Sequence, residues 1–372
     1  MNKSLELLQA GQSLWLDNIQ RSWLKNGKFN GMIERGEIRG CTSNPTIFMN
    51  AITKTQDYDE ELLPLAASGL KPEEIFFKLA IEDIQGASDF FMPLYRQSKG
   101  GDGYVSLEVN PNLANDTPTT LEQAKDLWSQ VSRPNVMIKI PATEVCLPAI
   151  TDALAAGVNI NVTLIFSLQR YAEVMDAFMK GLEKRVAQSL PIHSLASVAS
   201  FFVSRVDTDV DARLNAIIQQ GGAAAEKAKG LMGKAAIANA RLAYAEYKKS
   251  IATPRFKALL AKGARVQRPL WASTSTKNPA YRDVLYVEEL IGADTVDTVP
   301  PQTLADFLDH GRVRNSLEED LDGARETLAE LETLGISMKE VTDQLEEEGV
   351  KAFADSFSVV MDAVEKRRQA VP

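Results

Sequence analysis

The chain has 372 residues, 45% of them hydrophobic and 24% charged, with a formal net charge of −9. These values are ordinary for a soluble globular protein and leave ample chain for a core. The acidic balance argues against a nucleic-acid surface, although one compact cationic pocket is compatible with it.

Short β-rich runs recur along the chain, each followed by a helical pattern. The first is SLWLD (13–17), behind an N-terminus, MNKSLELLQAGQSLW, with no long apolar core and no small-residue cleavage site. No signal peptide is therefore expected. IRGCTSN (38–44) and YVSLEVN (104–110) follow. PTTLEQAKDLWS (118–129), with proline and threonines at its start and apolar residues at helical spacing, predicts a helix. VMIKI (136–140) is an apolar run with Lys139 at its centre, and NINVTLIF (159–166) and SVASFFVSRV (197–206) come next. Residues 209–262, rich in Ala and Lys, predict helices broken at Gly221-Gly222. Within them GLMGKAA (230–236) only brushes the phosphate-loop pattern, because the glycine spacing is wrong and the final Ser or Thr is missing. PLWASTS (269–275) and ADTVDTV (293–299) complete the strands, the last the weakest because it carries two aspartates. Residues 278–291 and 304–309 read as helical, and 313–368 holds further amphipathic helices whose charge runs read as solvated faces.

Eight strands alternating with helices imply parallel pairing with right-handed crossovers, and the count favours a closed barrel over an open doubly wound sheet. No GxGxxG follows a strand. The fold class expected is α/β: a single (β/α)8 TIM barrel, residues 1–372 forming one domain, with a helical insertion at about 209–262 and C-terminal helices at about 313–370. Cys41 and Cys146 read as buried small residues in a reducing compartment. His193 and His310 are the only histidines, so no Cys/His zinc spacing can be assembled and no metal site is expected. No apolar run approaches the roughly 20 residues of a membrane span. A cytoplasmic protein with no membrane and no nucleic-acid partner is expected. Asn161-Val-Thr163 matches a glycosylation acceptor, which means nothing without secretion.

Reactive groups in such a barrel sit at the C-terminal strand ends. The polar residues there are Asp17, Thr42-Ser43-Asn44, Glu108 with Asn110, Lys139, Asn161 with Thr163, Ser200 with Arg205, and Ser273 to Lys277. A lysine inside a barrel loses solvation, which disfavours its charged form, and the neutral amine is a nucleophile toward carbonyls. The iminium so formed is an electron sink that lets an adjacent bond break or form. Asp17 would move the proton that accompanies C–C cleavage, and Glu108 the protons of carbinolamine chemistry. Amides and hydroxyls suit sugar hydroxyls, and Arg205 with Lys277 suits a phosphate. Each residue alone has a plainer reading. Lys139 would snorkel its amine to the surface, Asp17 would cap a helix, and Arg205 and Lys277 would be surface charges or ion-pair partners.

Six stretches in order, CTSNPTIF (41–48), VSLEVNP (105–111), IKIPAT (138–143), NVTLIFS (161–167), ASFFVSRVD (199–207) and ASTSTKNP (272–279), resemble the signatures of the transaldolase family. The resemblance runs on to TVDTVPPQT (295–303), and DQLEEEGVKAF (343–353) is similar to the family's C-terminal helix. It implies a (β/α)8 barrel and a cofactor-free class I aldolase mechanism. A dihydroxyacetone unit would pass from a ketose phosphate, such as sedoheptulose 7-phosphate or fructose 6-phosphate, to an aldose phosphate such as glyceraldehyde 3-phosphate or erythrose 4-phosphate. This is a step of the non-oxidative pentose phosphate pathway. By motif match, Lys139 is the Schiff-base lysine and Asp17 the acid/base of aldol cleavage, while Glu108 with Thr163 forms a proton relay through a water. Asn44 and Asn161 match contacts to the dihydroxyacetone hydroxyls. Ser200, Arg205, Ser275 and Lys277 match hydroxyl- and phosphate-binding positions. Many members have SPFVGR where this chain has SFFVSR, and arginine where it has Lys277; lysine binds phosphate as a point charge without arginine's fork. The long insertion resembles the larger subgroup of the family, and a monomer or homodimer is expected. Two other readings stay open: a class I aldolase releasing free dihydroxyacetone, and a barrel that binds a phosphorylated ligand without catalysis.

Overall fold

The computed structural model describes residues 2–369; Met1 and residues 370–372, the ends of the expected domain, lie outside the described residues. Eight parallel strands close into a barrel in chain order, with β8 pairing back onto β1. They are β1 Gln12–Asp17, β2 Cys41–Thr42, β3 Val105–Glu108, β4 Val136–Pro141, β5 Ile160–Ile165, β6 Ser197–Phe202, β7 Gln267–Ala272 and β8 Thr295–Val299. All eight expected strands and the barrel class are therefore present. In β4, β5 and β6 every residue is buried, as strands covered by helices outside and side chains inside must be.

Several boundaries differ from expectation, three of them for a plain local reason. SVASFFVSRV is a strand only to Phe202, and a helix Ser204–Gln220 begins two residues later, so Arg205 stands on a first helical turn. Of residues 278–291 only Leu285–Glu289 is helical. Pro279 and the Asn278 turn, whose side chain accepts from Ala280 N–H at 2.9 Å, hold the preceding stretch as a loop. IRGCTSN contributes only Cys41–Thr42 to the sheet, because Asn44 leaves it to cap the helix Pro45–Lys54. The helix expected at 118–129 is present as Thr117–Val131, and that at 304–309 as Pro301–His310.

The insertion forms helices Ser204–Gln220, Gly222–Leu231, Ala235–Ile251 and Pro254–Leu260. Gly221 and Gly222 both adopt positive φ, 75° and 80°, which breaks the first two apart as the glycine pair predicts. The final helix, Met338–Gln369, packs on Pro45–Lys54, on Asp59–Ala67 and on the long helix Pro72–Gln97. Arg170 holds its first half through Glu346 at 3.4 Å, and Asp59 holds its end through Arg367 at 2.9 Å. Phe357 meets Phe76 edge-on between them, with centroids 5.3 Å apart. Among the described residues no helix is long and apolar enough to cross a membrane.

Candidate active site

Lys139 projects into the barrel from the middle of β4. Its neighbours in sequence, Ile138 and Ile140, face the opposite side of the sheet, because successive strand residues alternate. Its neighbours in space are polar. Register places Glu108 of β3 and Asn161 of β5 directly beside it. The ammonium nitrogen lies 3.1 Å from Glu108 Oε2 and donates to the Ser43 carbonyl at 3.0 Å. Phe353 of the last helix closes over it, ring centroid 5.7 Å from Nζ. At 4% exposure the residue does not snorkel.

Asp17 ends β1, level with Thr42 of β2. It caps no helix: the next one starts at Arg21, with Gln20 at the cap position. Thr42 Oγ1 donates to Asp17 Oδ1 at 2.7 Å and lies 2.7 Å from the Thr298 hydroxyl. Burial raises the Asp17 carboxyl above its ordinary value; Lys139, the Thr42 hydrogen bond and Lys277 pull the other way. Burial likewise raises Glu108, opposed by Lys139 and reinforced by Asp17. Two carboxylates thus lie in a desolvated space where Lys139 offsets part of the burial cost of each.

Ser200 Oγ donates to Asn161 Oδ1 at 2.7 Å, and Asn161 Nδ2 donates to Ser106 Oγ at 3.1 Å, which fixes the amide's orientation. Asn44 uses its oxygen to accept from Ile47 N–H at 2.9 Å, so the helix cap and the cavity wall are one residue. Thr163 Oγ1 is buried without a hydrogen-bond partner among the described residues. Arg205 and Lys277 sit at the mouth. Burial lowers both from their ordinary values, and Arg205 lowers Lys277 further while Asp17 opposes. Lys277 Nζ donates to Ser275 Oγ at 2.6 Å.

Asp17, Asn44, Lys139, Thr163, Ser200, Arg205, Ser275 and Lys277 line one cavity of about 180 Å³. Glu108 and Asn161 stand behind that lining. Glu108 also borders a second space of about 10 Å³ with Ser43 and Asn44, the size of one water. The larger cavity also includes Thr42 and Ser273, which the sequence places only among the strand-end polar residues, and Phe202, Thr298 and Phe353, to which it assigns no role. Thr298 sits in the run penalised for its two aspartates. The signal for Phe353 was Gly349, a lone glycine inside a helical pattern: a Cβ there would lie 3.0 Å from Leu164 Cδ2 and 3.6 Å from Arg205 Nη1. Leu164 and Ser273 hold positive φ, 60° and 57°. For a bulky residue such as leucine this is strained, and both flank the cavity.

Residues 14–364 match the family described as "Transaldolase/Fructose-6-phosphate aldolase". The chain is 48% identical over 369 residues to a protein of Parafrankia sp. (strain EAN1pec) named "Transaldolase", covering 99% of this chain and 98% of the relative. It is 47% identical over 366 residues to the "Transaldolase" of Thermobifida fusca, covering 98% of each chain. It is 43% identical over 370 residues to "Transaldolase 2" of Nostoc sp., covering 98% of this chain and 97% of the relative. With an eight-stranded barrel, a buried lysine paired with Glu108 and sharing its cavity with Asp17, and a family match over residues 14–364, the chain belongs to the transaldolase/fructose-6-phosphate aldolase family.

Proposed function

We propose that this protein is a transaldolase, moving a dihydroxyacetone unit between sugar phosphates through a Schiff base on Lys139. The observation that carries the reading is the Lys139 amine, buried, 3.1 Å from Glu108 Oε2 and in one cavity with Asp17. Glu108 beside the amine suits proton removal as Nζ attacks the ketose carbonyl and water leaves, with Thr163 and the water-sized space serving the relay. Asp17 then takes the proton of the hydroxyl on the departing carbon. The C–C bond breaks, its electron pair moves into the iminium, and the aldose leaves. That proton returns to the new hydroxyl as the enamine attacks a new aldehyde, and addition of water to the resulting iminium then releases the product ketose and restores the Lys139 amine. Ser200, Asn161 and Asn44 suit the hydroxyls of the three-carbon unit, and Arg205, Ser275 and Lys277 suit the phosphate. The family membership supports a cytoplasmic enzyme, which we read as a monomer or homodimer.

The transfer reading is tested by supplying fructose 6-phosphate with and without erythrose 4-phosphate. Turnover should require the aldose, with little free dihydroxyacetone released in its absence. Rapid acceptor-free turnover would instead make the protein an aldolase.

A further inference from the structure

The stretch GLMGKAA turns between helices Gly222–Leu231 and Ala235–Ile251, and its backbone N–H groups bind the chain's own carboxylates. Gly233 N–H donates to Asp211 Oδ1 at 3.0 Å, and Ala236 N–H to Asp207 Oδ1 at 2.7 Å. The other oxygen of each carboxylate accepts from a tyrosine that follows β7. Tyr281 hydroxyl donates to Asp211 Oδ2 at 2.6 Å, and Tyr286 hydroxyl to Asp207 Oδ2 at 2.8 Å. A third tie lies nearer the cavity: Ser204 N–H donates to the Ser273 carbonyl at 3.0 Å, and the two hydroxyls are 2.9 Å apart.

Ser204, Asp207 and Asp211 are spaced three and four apart, so they share one face of the helix Ser204–Gln220. That helix carries Arg205 on its first turn. The segment it grips, 273–284, has no regular structure and carries Ser275 and Lys277. Gly233 brings the grip close: a Cβ there would lie 2.7 Å from Tyr281 Cζ. A lysine meets phosphate as a point charge on a flexible stem, so its effective position depends on how firmly its backbone is held.

We infer that Asp211 and Tyr281 are positioning residues that hold Ser275 and Lys277 in reach of Arg205. The helical insertion then sets affinity for the phosphate end of the sugar and leaves the chemistry at Lys139 alone. This rests on the proposed phosphate role of Arg205 and Lys277.

The test is steady-state kinetics at saturating fructose 6-phosphate, with erythrose 4-phosphate or D-glyceraldehyde as acceptor and inorganic phosphate as inhibitor. Tyr281→Phe removes one oxygen and keeps the ring, and Asp211→Ala removes both bonds from the other side. Either variant should raise the KM for erythrose 4-phosphate and the Ki of inorganic phosphate by roughly tenfold, the scale of a lost charged hydrogen bond. The kcat and the KM for D-glyceraldehyde should not move, a split that general loosening would not produce. Unchanged values for both acceptors, or an equal rise for both, would overturn the inference. Lys277→Ala separates the two layers. If it weakens inorganic phosphate while the Tyr281 and Asp211 variants do not, the clasp is wrong. If it too leaves inorganic phosphate untouched, the phosphate subsite itself is misassigned.

Discussion

Thr42 has one hydroxyl hydrogen, and it goes to Asp17. The contact with Thr298 must then run the other way, Thr298 donating to Thr42, so β8 reaches the aspartate through β2. That hydrogen bond lowers a carboxyl which burial raises. Asp17 must be ionised to accept the proton of C–C cleavage, so activity falls on the acid side as it protonates. Thr42→Val removes the lowering contact at nearly constant shape. The acid limb of the kcat profile should move to higher pH, and a limb that stays in place would show that another group controls it. Lys139 was legible because a charge inside an apolar strand has few explanations, and Asp17, Glu108 and Asn161 because strand ends of a barrel converge. Thr42 stood only among several strand-end hydroxyls, and its link to Thr298 was not legible, since a threonine in a strand is ordinary and only closure of the barrel sets β8 against β1, within reach of β2 on its other side.

The helix Met338–Gln369 is the element that roofs the cavity. It contributes Phe353 over Lys139, and Gly349 gives it close approach to Leu164 and Arg205. A covalent enamine survives until an aldose arrives only if water is kept from it. Phe353→Ala should therefore raise the ratio of dihydroxyacetone release to transfer, by about tenfold if exclusion of water is its main contribution. An unchanged ratio with slower overall turnover would mean the ring only supports the fold. The sequence pattern supplied this helix as an amphipathic run but not its destination, because periodicity marks an apolar face and does not say what covers it. Arg205 was assigned to a strand end for a related reason. SVASFFVSRV mixes serines with apolar residues from end to end, and the switch to a helix after Phe202 leaves no mark in its periodicity.

Across the whole molecule, the last helix packs on elements from the first hundred residues, and the insertion packs on helices both before and after it. We read barrel, insertion and tail as one folding unit. Far-UV circular dichroism and tryptophan fluorescence should then report one coincident thermal transition. Two separated transitions would divide the chain. The barrel class was legible from eight spaced runs, while the ties between distant segments were not, since Tyr281 and Asp211 are 70 residues apart. The measurement that bears most directly on the central claim is borohydride reduction in the presence of fructose 6-phosphate, followed by peptide mass mapping, with Lys139→Arg as control. The account predicts a dihydroxyacetone-sized addition on Lys139, absent from a folded but inactive Lys139→Arg protein. An addition on another lysine, no addition at all, or turnover retained by the arginine variant would contradict it.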